Sequence, residues 1–435
     1  VVLTRRAGLA GVAALVAVLL AGLAGLPAGW VALALTALLV ALVAVDVVLA
    51  GSPRRVRAVR GGETSVRLGE PARTTLLLTN TGRRPVRGWV RDAWIPSAGA
   101  VDGVKRLDLP VRQRRLLTTT LHPTRRGDRH AGPVVVRCLG PLRLAGRQAA
   151  QPAPWTVRVL PPFTSRKHLP GRLARLRELD GRSVVLQRGQ GTEFDSLREY
   201  VPGDDVRSID WRGTARSATV VVRTWRPERD RHVLVVLDSG RTSAGRVGDQ
   251  PRLDHLMDAA LLLAALAARA GDRVDLLVVD RTVRASVARV SAADVLPAFV
   301  QAMADVEPLL AETDHRLLVT EVLTRTSQRS LVVLLTGLDR VALAEGLVPQ
   351  LGLVLRKHTV VVGAVSDPAV DVLAAGREDA AAVYAAAAAE VDRSARAETA
   401  RTLRQRGVQV VEAPPDRIAP DLADHYLALK KTGRL

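Results

Sequence analysis

At 435 residues the chain has the length of about two or three domains. With 48% apolar but only 3% aromatic residues, its cores must be filled mainly by Val, Leu and Ala, and a wholly disordered chain is excluded. A single cysteine, Cys138, excludes an intrachain disulfide and a cysteine-cluster metal site, while a formal net charge of +20 favours anionic partners: nucleic acid, acidic lipid or acidic protein.

Residues 7–26 (AGLAGVAALVAVLLAGLAGL) are uncharged and apolar, and after Pro27 and Gly29 a second run, WVALALTALLVALVAVDVVLA, covers 30–50. Each approaches the about 20 residues that cross about 30 Å of hydrocarbon as a helix. Two spans joined by so short a turn run antiparallel. Arg5 and Arg6 precede the first; Arg54, Arg55, Arg57 and Arg60 follow the second. Both basic flanks, and the soluble parts with them, are therefore expected on the cytoplasmic side. A cleaved signal peptide is the competing reading of the first run, and the second run with its basic flank argues against it. Asp46, near the inner end of its helix, is expected to reach headgroups. Residues 1–55 thus read as a transmembrane helical hairpin in the cell membrane.

Over 56–160 the period shortens. TSVRLGE, TTLLLTN, VRGWVRD, RRLLTTTL, PVVVRCLG and WTVRVLP alternate polar and apolar residues between turn-forming stretches such as TNTGRRP and LGPLRLAG. That pattern predicts a small antiparallel β-sandwich, with Trp89, Trp94 and Trp155 as its large core side chains. Cys138, in VVVRC, reads as a small buried residue. Arg112, Arg114, Arg115, Arg125, Arg126 and Arg129 make the module basic, which suits a solvated face or an anionic lipid surface equally. Nothing in it matches a zinc finger, a helix-turn-helix or an RNA-binding aromatic pair, so nucleic acid is the less expected partner.

Residues 161–230 form a connecting segment that holds EFDSLREYVPGDDVRSIDWRGTAR, 193–216. VPGD predicts a type II turn, with Asp204 or Asp205 capping a helix over about 206–216. On that helix Arg212 and Arg216 share a face, and Asp210 follows Arg207 by three. Trp211, Ile209, Phe194 and Tyr200 are expected to anchor the segment. Arg198, Arg207, Arg212 and Arg216 can be matched by Glu193, Asp195, Asp204, Asp205 and Asp210, because a guanidinium meets a carboxylate with two parallel bonds. The stretch therefore reads as a structural clasp or a partner-docking surface. A catalytic pair such as Glu193 with Asp204 lacks any accompanying nucleophile or histidine. The glycines of RGQGTEF, 188–194, lack the strand–helix context of a phosphate loop.

Residues 231–435 alternate apolar strands and helices. RHVLVVLD, DRVDLLVVD, SLVVLLTG, HTVVVGAVSD and RGVQVVEAPP read as strands; 252–270, 291–306, 341–357, 379–405 and the last 15 or so residues read as helices. Strands that are continuously apolar imply a doubly wound α/β domain with a parallel sheet covered on both faces. Ligands of such sheets bind at the carboxyl edge, where LVVLDSGRT ends. Neither GxxxxGK[ST] nor GxSxG occurs, which argues against a nucleotide enzyme and a serine hydrolase.

The order of these parts, with RRGDRHAGP and LGPLRL, then GTEFDSLREYVPGDDVRSIDWRGTARS, then VLVVLDSGRTS, resembles the bacterial domain of unknown function 58 family. Its members resemble this chain in having a membrane hairpin, a β-rich segment and a von Willebrand factor type A domain. The family's genes often neighbour those of MoxR-type AAA+ ATPases, which implies a membrane-tethered adaptor in a chaperone-like or envelope system. Type A domains often hold Mg²⁺ at a D-x-S-x-S motif. Carried over, that motif falls on Asp238, Gly240 and Thr242, with Gly337 in place of the later aspartate and Asp339 two residues beyond. No threonine ligand can be placed on the intervening loops from the sequence. The resemblance thus implies an interaction protein without chemistry of its own. A metal-dependent hydrolase using Asp238 with Asp204, Asp205 and Asp210, or an anionic-lipid or nucleic-acid binder, are the alternatives.

Overall fold

The computed structural model describes residues 1–186, 193–217, 219–226 and 231–433, with 180–186, 193–195 and 224–226 described by their backbone only. The glycines of RGQGTEF lie outside the described residues. The chain divides into two compact units, Val1–Leu160 and Pro161–Leu435.

The first unit begins with two apolar helices, α1 (Arg5–Leu23) and α2 (Ala28–Leu49), both long and apolar enough to cross a membrane. Two sheets follow. One is four-stranded and includes Val56–Gly62, Ala72–Asn80 and Arg114–Leu121; the other is seven-stranded and is built around β1 (Gly127–Leu139) and β2 (Ala145–Gln151). Alternation along Ala72–Asn80 turns every second side chain inward. Leu76 and Leu78 of the first sheet meet Val90, Leu109, Val136 and Cys138 of the second in a common core. Burial pushes the Cys138 thiol up to about 12 against the opposing charge of Arg147. Trp94 and Trp155 pack beside a second, smaller core. Trp89, expected inside, is 42% exposed, with the Arg106 guanidinium 5.8 Å from its ring centre. A buried ion pair that the sequence reading missed, Arg60 with Asp92 at 2.7 Å, crosses this unit, and Asp92 also accepts from the Thr119 hydroxyl at 2.8 Å.

Asp46 departs from expectation. It is fully buried and accepts the backbone N–H groups of Leu142, Leu144 and Ala145 at 2.7–2.8 Å. The β1–β2 turn is thus fastened to the end of α2. At the start of α1, Thr4 donates its hydroxyl to the Arg143 carbonyl at 2.6 Å, and Val2 and Leu3 pair with β2. Both helix ends therefore grip one tight turn.

In the second unit, β3 (Glu193–Glu199) and β4 (Val221–Arg226) form a two-stranded antiparallel sheet. The main sheet consists of β5 (His232–Asp238), β6 (Arg273–Val279), β7 (Val283–Val287), β8 (Ser330–Leu335), β9 (Thr359–Val365) and β10 (Gln409–Ala413). Its order is β7-β6-β5-β8-β9-β10, parallel except for the antiparallel edge strand β7. Every residue of β5 is buried, because neighbouring strands and covering helices enclose it. Helix Arg252–Arg269 is buried along nearly its whole length, which explains its continuous apolar composition. Chain order runs outward in both directions from β5, so the end of this central strand lies at the sheet's topological switch point.

Candidate functional site

The switch point presents Asp238, the last residue of β5. The side chain is buried and both its oxygens are occupied. One accepts the Gly240 N–H at 2.8 Å and the Thr313 hydroxyl at 2.5 Å; the other accepts the hydroxyls of Thr242 at 3.0 Å and Thr336 at 2.6 Å. The two distant threonines arrive by topology. Thr336 directly follows β8, which pairs with β5, and Thr313 rides on a loop whose Ala311 carbonyl accepts the Arg241 N–H at 2.9 Å. They are the residues that the sequence reading could not place. Strand period marked the strand before Thr336, but nothing local marked the path of the loop carrying Thr313.

Glycine at 240 and 337 makes this closure feasible. A Cβ on Gly240 would lie 2.1 Å from the Thr313 hydroxyl oxygen, and one on Gly337 would lie 3.1 Å from Thr242. Asp339 stands apart from the cluster: it accepts the Ala342 N–H at 3.0 Å and caps the turn after it. Arg241, on the same loops, pairs with Glu312 at 2.5 Å and reaches Asp339 at 4.0 Å. This donor set fits Mg²⁺ poorly. A hard cation needs about six oxygens with more than one carboxylate or several waters, whereas a single carboxylate here is saturated by four protein donors. Among the described residues, no three Asp, Glu, His or Cys side chains are placed to share a metal ion. Ser239 is fully buried and donates its hydroxyl to Asp280 at 3.1 Å.

The charged stretch lies elsewhere in the unit and is organised differently. Val201–Asp204 is a tight turn, closed by the Asp204 N–H on the Val201 carbonyl at 3.0 Å, with Gly203 at φ 111° as the type II geometry requires. The expected helix over 206–216 is replaced by two single turns, Val206–Ser208 and Trp211–Thr214. Each has its own cap: Asp205 accepts the Arg207 N–H, and Asp210 accepts the Gly213 N–H. Two capping acids within six residues break the segment into two turns, because each offers the backbone a local alternative to a continuous helix.

Pairing of the arginines is partial. Arg198 meets Asp204 with two bonds, at 2.6 and 2.7 Å, and Arg223 meets Asp210 at 2.7 Å. Arg198 thereby holds the Asp204 carboxyl below its usual range; the Gly213 N–H and Arg223 do the same for Asp210. Among the described residues, the guanidinium groups of Arg207, Arg212 and Arg216 have no ion pair. The side chains of Glu193, Phe194 and Asp195 lie outside the described residues. Trp211, expected as an anchor, is 68% exposed. With Arg207, Ile209, Asp210, Arg212 and Arg223 it borders a hollow of about 350 Å³.

Residues 196–409 match the family described as protein of unknown function DUF58. Uncharacterized proteins of Mycobacterium bovis and Mycobacterium tuberculosis are each 30% identical over 102 residues, which is 23% of this chain and 32% of theirs. The matched segment spans about a third of those relatives' length. Among solved structures, the conserved hypothetical protein BatB from Bacteroides thetaiotaomicron is similar with a TM-score of 0.32 at 15% identity, over 47% of this chain and 99% of its own. The SpRpn10 VWA domain is similar with a TM-score of 0.29 at 10% identity, over 45% of this chain and 94% of its own. The segment 196–409, which carries most of the charged hairpin and the six-stranded sheet through the start of β10, is thus the part of the chain that is similar to the DUF58 family.

Proposed function

We propose that the protein is a membrane-anchored interaction module that acts through a protein partner and performs no chemistry of its own. The carrying observation is the contrast between its two charged sites. Asp238 is closed on itself, whereas Trp211 stands exposed beside Arg207 and Arg212, which have no ion pair among the described residues. A tryptophan and arginines on one accessible surface are the side chains that dominate protein–protein contact energies. The hydrolase alternative needs Asp238, Asp204, Asp205 and Asp210 around one pocket. Instead, Asp204 and Asp210 are held by separate arginines, Asp205 caps a turn, and Asp238 is saturated.

Anchoring rests on α1 and α2. Their apolar windows are only 6% buried, unlike those of a core helix, so about twenty residues of each would meet lipid. Arginines at both outer ends favour a two-span topology with both soluble units in the cytoplasm. A MoxR-type AAA+ ATPase is the partner that the family resemblance suggests. Anionic lipid near the basic flanks is an accessory contact. The Asp238 cluster reads as a cation-free clasp for the loops of the sheet edge.

Co-expression of the full chain with a MoxR-type ATPase from the same genome, followed by capture from solubilised membranes, tests the reading. Wild type should retain the ATPase, and Arg207→Gln/Arg212→Gln should lose it. Equal retention by both, or by neither, removes the docking role. Digestion of the soluble units from outside spheroplasts would contradict the orientation.

A further inference from the structure

The hollow beside Trp211 has a chemistry that narrows the class of partner. Between residues 196 and 223 there are five arginines and four carboxylates, so the hairpin carries almost no net charge despite its density of ions. Two of the arginines are neutralised by Asp204 and Asp210. Among the described residues, the cations without an ion pair are local: Arg207 and Arg212 line the hollow, and Arg216 follows one turn later. With them at the hollow stand Ile209 and the exposed Trp211 indole, and Val206, next to Arg207 in the chain, is 61% exposed.

We propose that this hollow binds an acidic peptide segment of a partner protein, with a Glu or Asp carboxylate between Arg207 and Arg212 and a neighbouring aliphatic side chain against Trp211. This rests on the interaction reading above and names the partner's chemistry. Geometry supplies the reason. A guanidinium presents paired N–H donors that match a carboxylate. The Trp211 face and Ile209 offer the apolar area that a peptide side chain covers and a phosphate does not. Fixed carboxylates at Asp204, Asp205 and Asp210 interrupt any continuous cationic track, and binding to a nucleic-acid backbone depends on neutralising several phosphates in succession. The Asp210–Arg223 pair and the Asp210 cap on Gly213 hold the floor of the hollow in place, so the site is formed before the ligand arrives.

The test uses the full chain in detergent and a fluorescein-labelled decapeptide of alternating Glu and Leu, read by anisotropy. Controls are the same peptide with Gln for Glu, and a labelled ten-nucleotide oligothymidylate. Wild type should bind the Glu–Leu peptide about tenfold or more tightly than its Gln counterpart and than the oligonucleotide. Arg207→Gln/Arg212→Gln should lower that affinity about tenfold, and Trp211→Ala should also weaken it. Arg114→Gln/Arg125→Gln removes the same charge from exposed sites in the other unit and should change binding less than about twofold. Equal losses in the two double variants would reduce the effect to the bulk charge of the chain and overturn the proposal. Tighter oligonucleotide binding that depends on Arg207 and Arg212 would overturn it in favour of nucleic acid. If the peptide fails to bind while ATPase capture still needs Arg207 and Arg212, the acidic-peptide class falls and the interaction module stands; loss of both removes both.

Discussion

Replacing Asp238 separates a hydrogen-bonding role from a role for its charge. Asp238→Ala strands the Gly240 N–H and the Thr313 hydroxyl, while buried Thr336 can still donate to Thr242, 3.3 Å away, and half-buried Thr242 can turn its own hydroxyl to solvent. Two buried donors left without acceptors cost about 1–3 kcal/mol each, and with the small cavity the sum is about 3–5 kcal/mol. Asp238→Asn should be far milder. Its carbonyl oxygen must face the Gly240 N–H, which cannot reverse its polarity. Its amide then points at Thr242 and Thr336, whose hydroxyls can rotate and accept. About 1–1.5 kcal/mol is expected for that exchange of a charged for a neutral acceptor. Hydrogen–deuterium exchange of the full chain, followed on a peptide covering 236–245, reads the difference directly. At about 1.4 kcal/mol per tenfold, exchange should rise by about a hundredfold to several thousandfold for Asp238→Ala and about tenfold for Asp238→Asn. Equally large effects of the two variants would show that the negative charge itself is required. So would slower exchange of wild type in millimolar Mg²⁺. Either result refutes the self-contained clasp.

Asp275 is buried and would be raised by that burial, but His232, Arg273 and the Arg289 N–H outweigh it and hold the carboxyl at about 2 against an ordinary 3.8. A depressed carboxylate stabilises the fold above its unfolded pKa and loses that contribution as pH falls through the folded value. The shift of about 1.8 is worth about 2.5 kcal/mol. Asp275→Asn should therefore lower the urea stability of the 161–433 unit by about 2–3 kcal/mol at pH 7, and the difference from wild type should close between pH 4 and 2. Cys138 should resist iodoacetamide at pH 8 in the folded chain and react after denaturation, since its thiol is held protonated and shielded; rapid labelling of native protein would contradict the packing. Asp46→Ala removes the acceptor of three N–H groups and should open the turn 140–145 to proteolysis in detergent, at a cost of several kcal/mol. An unchanged cleavage pattern would mean that the turn is held without Asp46.

Much of the architecture was legible because it is local. The apolar runs at 7–26 and 30–50 fixed α1 and α2, and the two-residue period announced the strands between 56 and 160. Continuous Val and Leu in RHVLVVLD marked β5 as a strand buried on both faces. In each case backbone sterics and the side-chain period of one element suffice, whatever it packs against. The charged stretch was legible only in part. Turn chemistry at VPGD follows from Pro202 and Gly203, but spacing alone allowed more arginine–carboxylate pairs than are found among the described residues, and could not say that Trp211 faces solvent.

Tertiary structure decided which distant polar groups meet. Asp238 takes donors 75 and 98 residues away, and Asp46 takes three from a turn 96–99 residues later. Neither set has a local signature, because a buried carboxylate demands partners but does not say where along the chain they lie. Hydropathy could therefore place Asp46 near a helix end while missing that it fastens a turn. The type A motif could point to Asp238 while missing that Gly240 and Gly337 let threonines close over it. The sequence determined which elements form; strand order and loop path, which bring remote backbone together, determined what its buried acids hold.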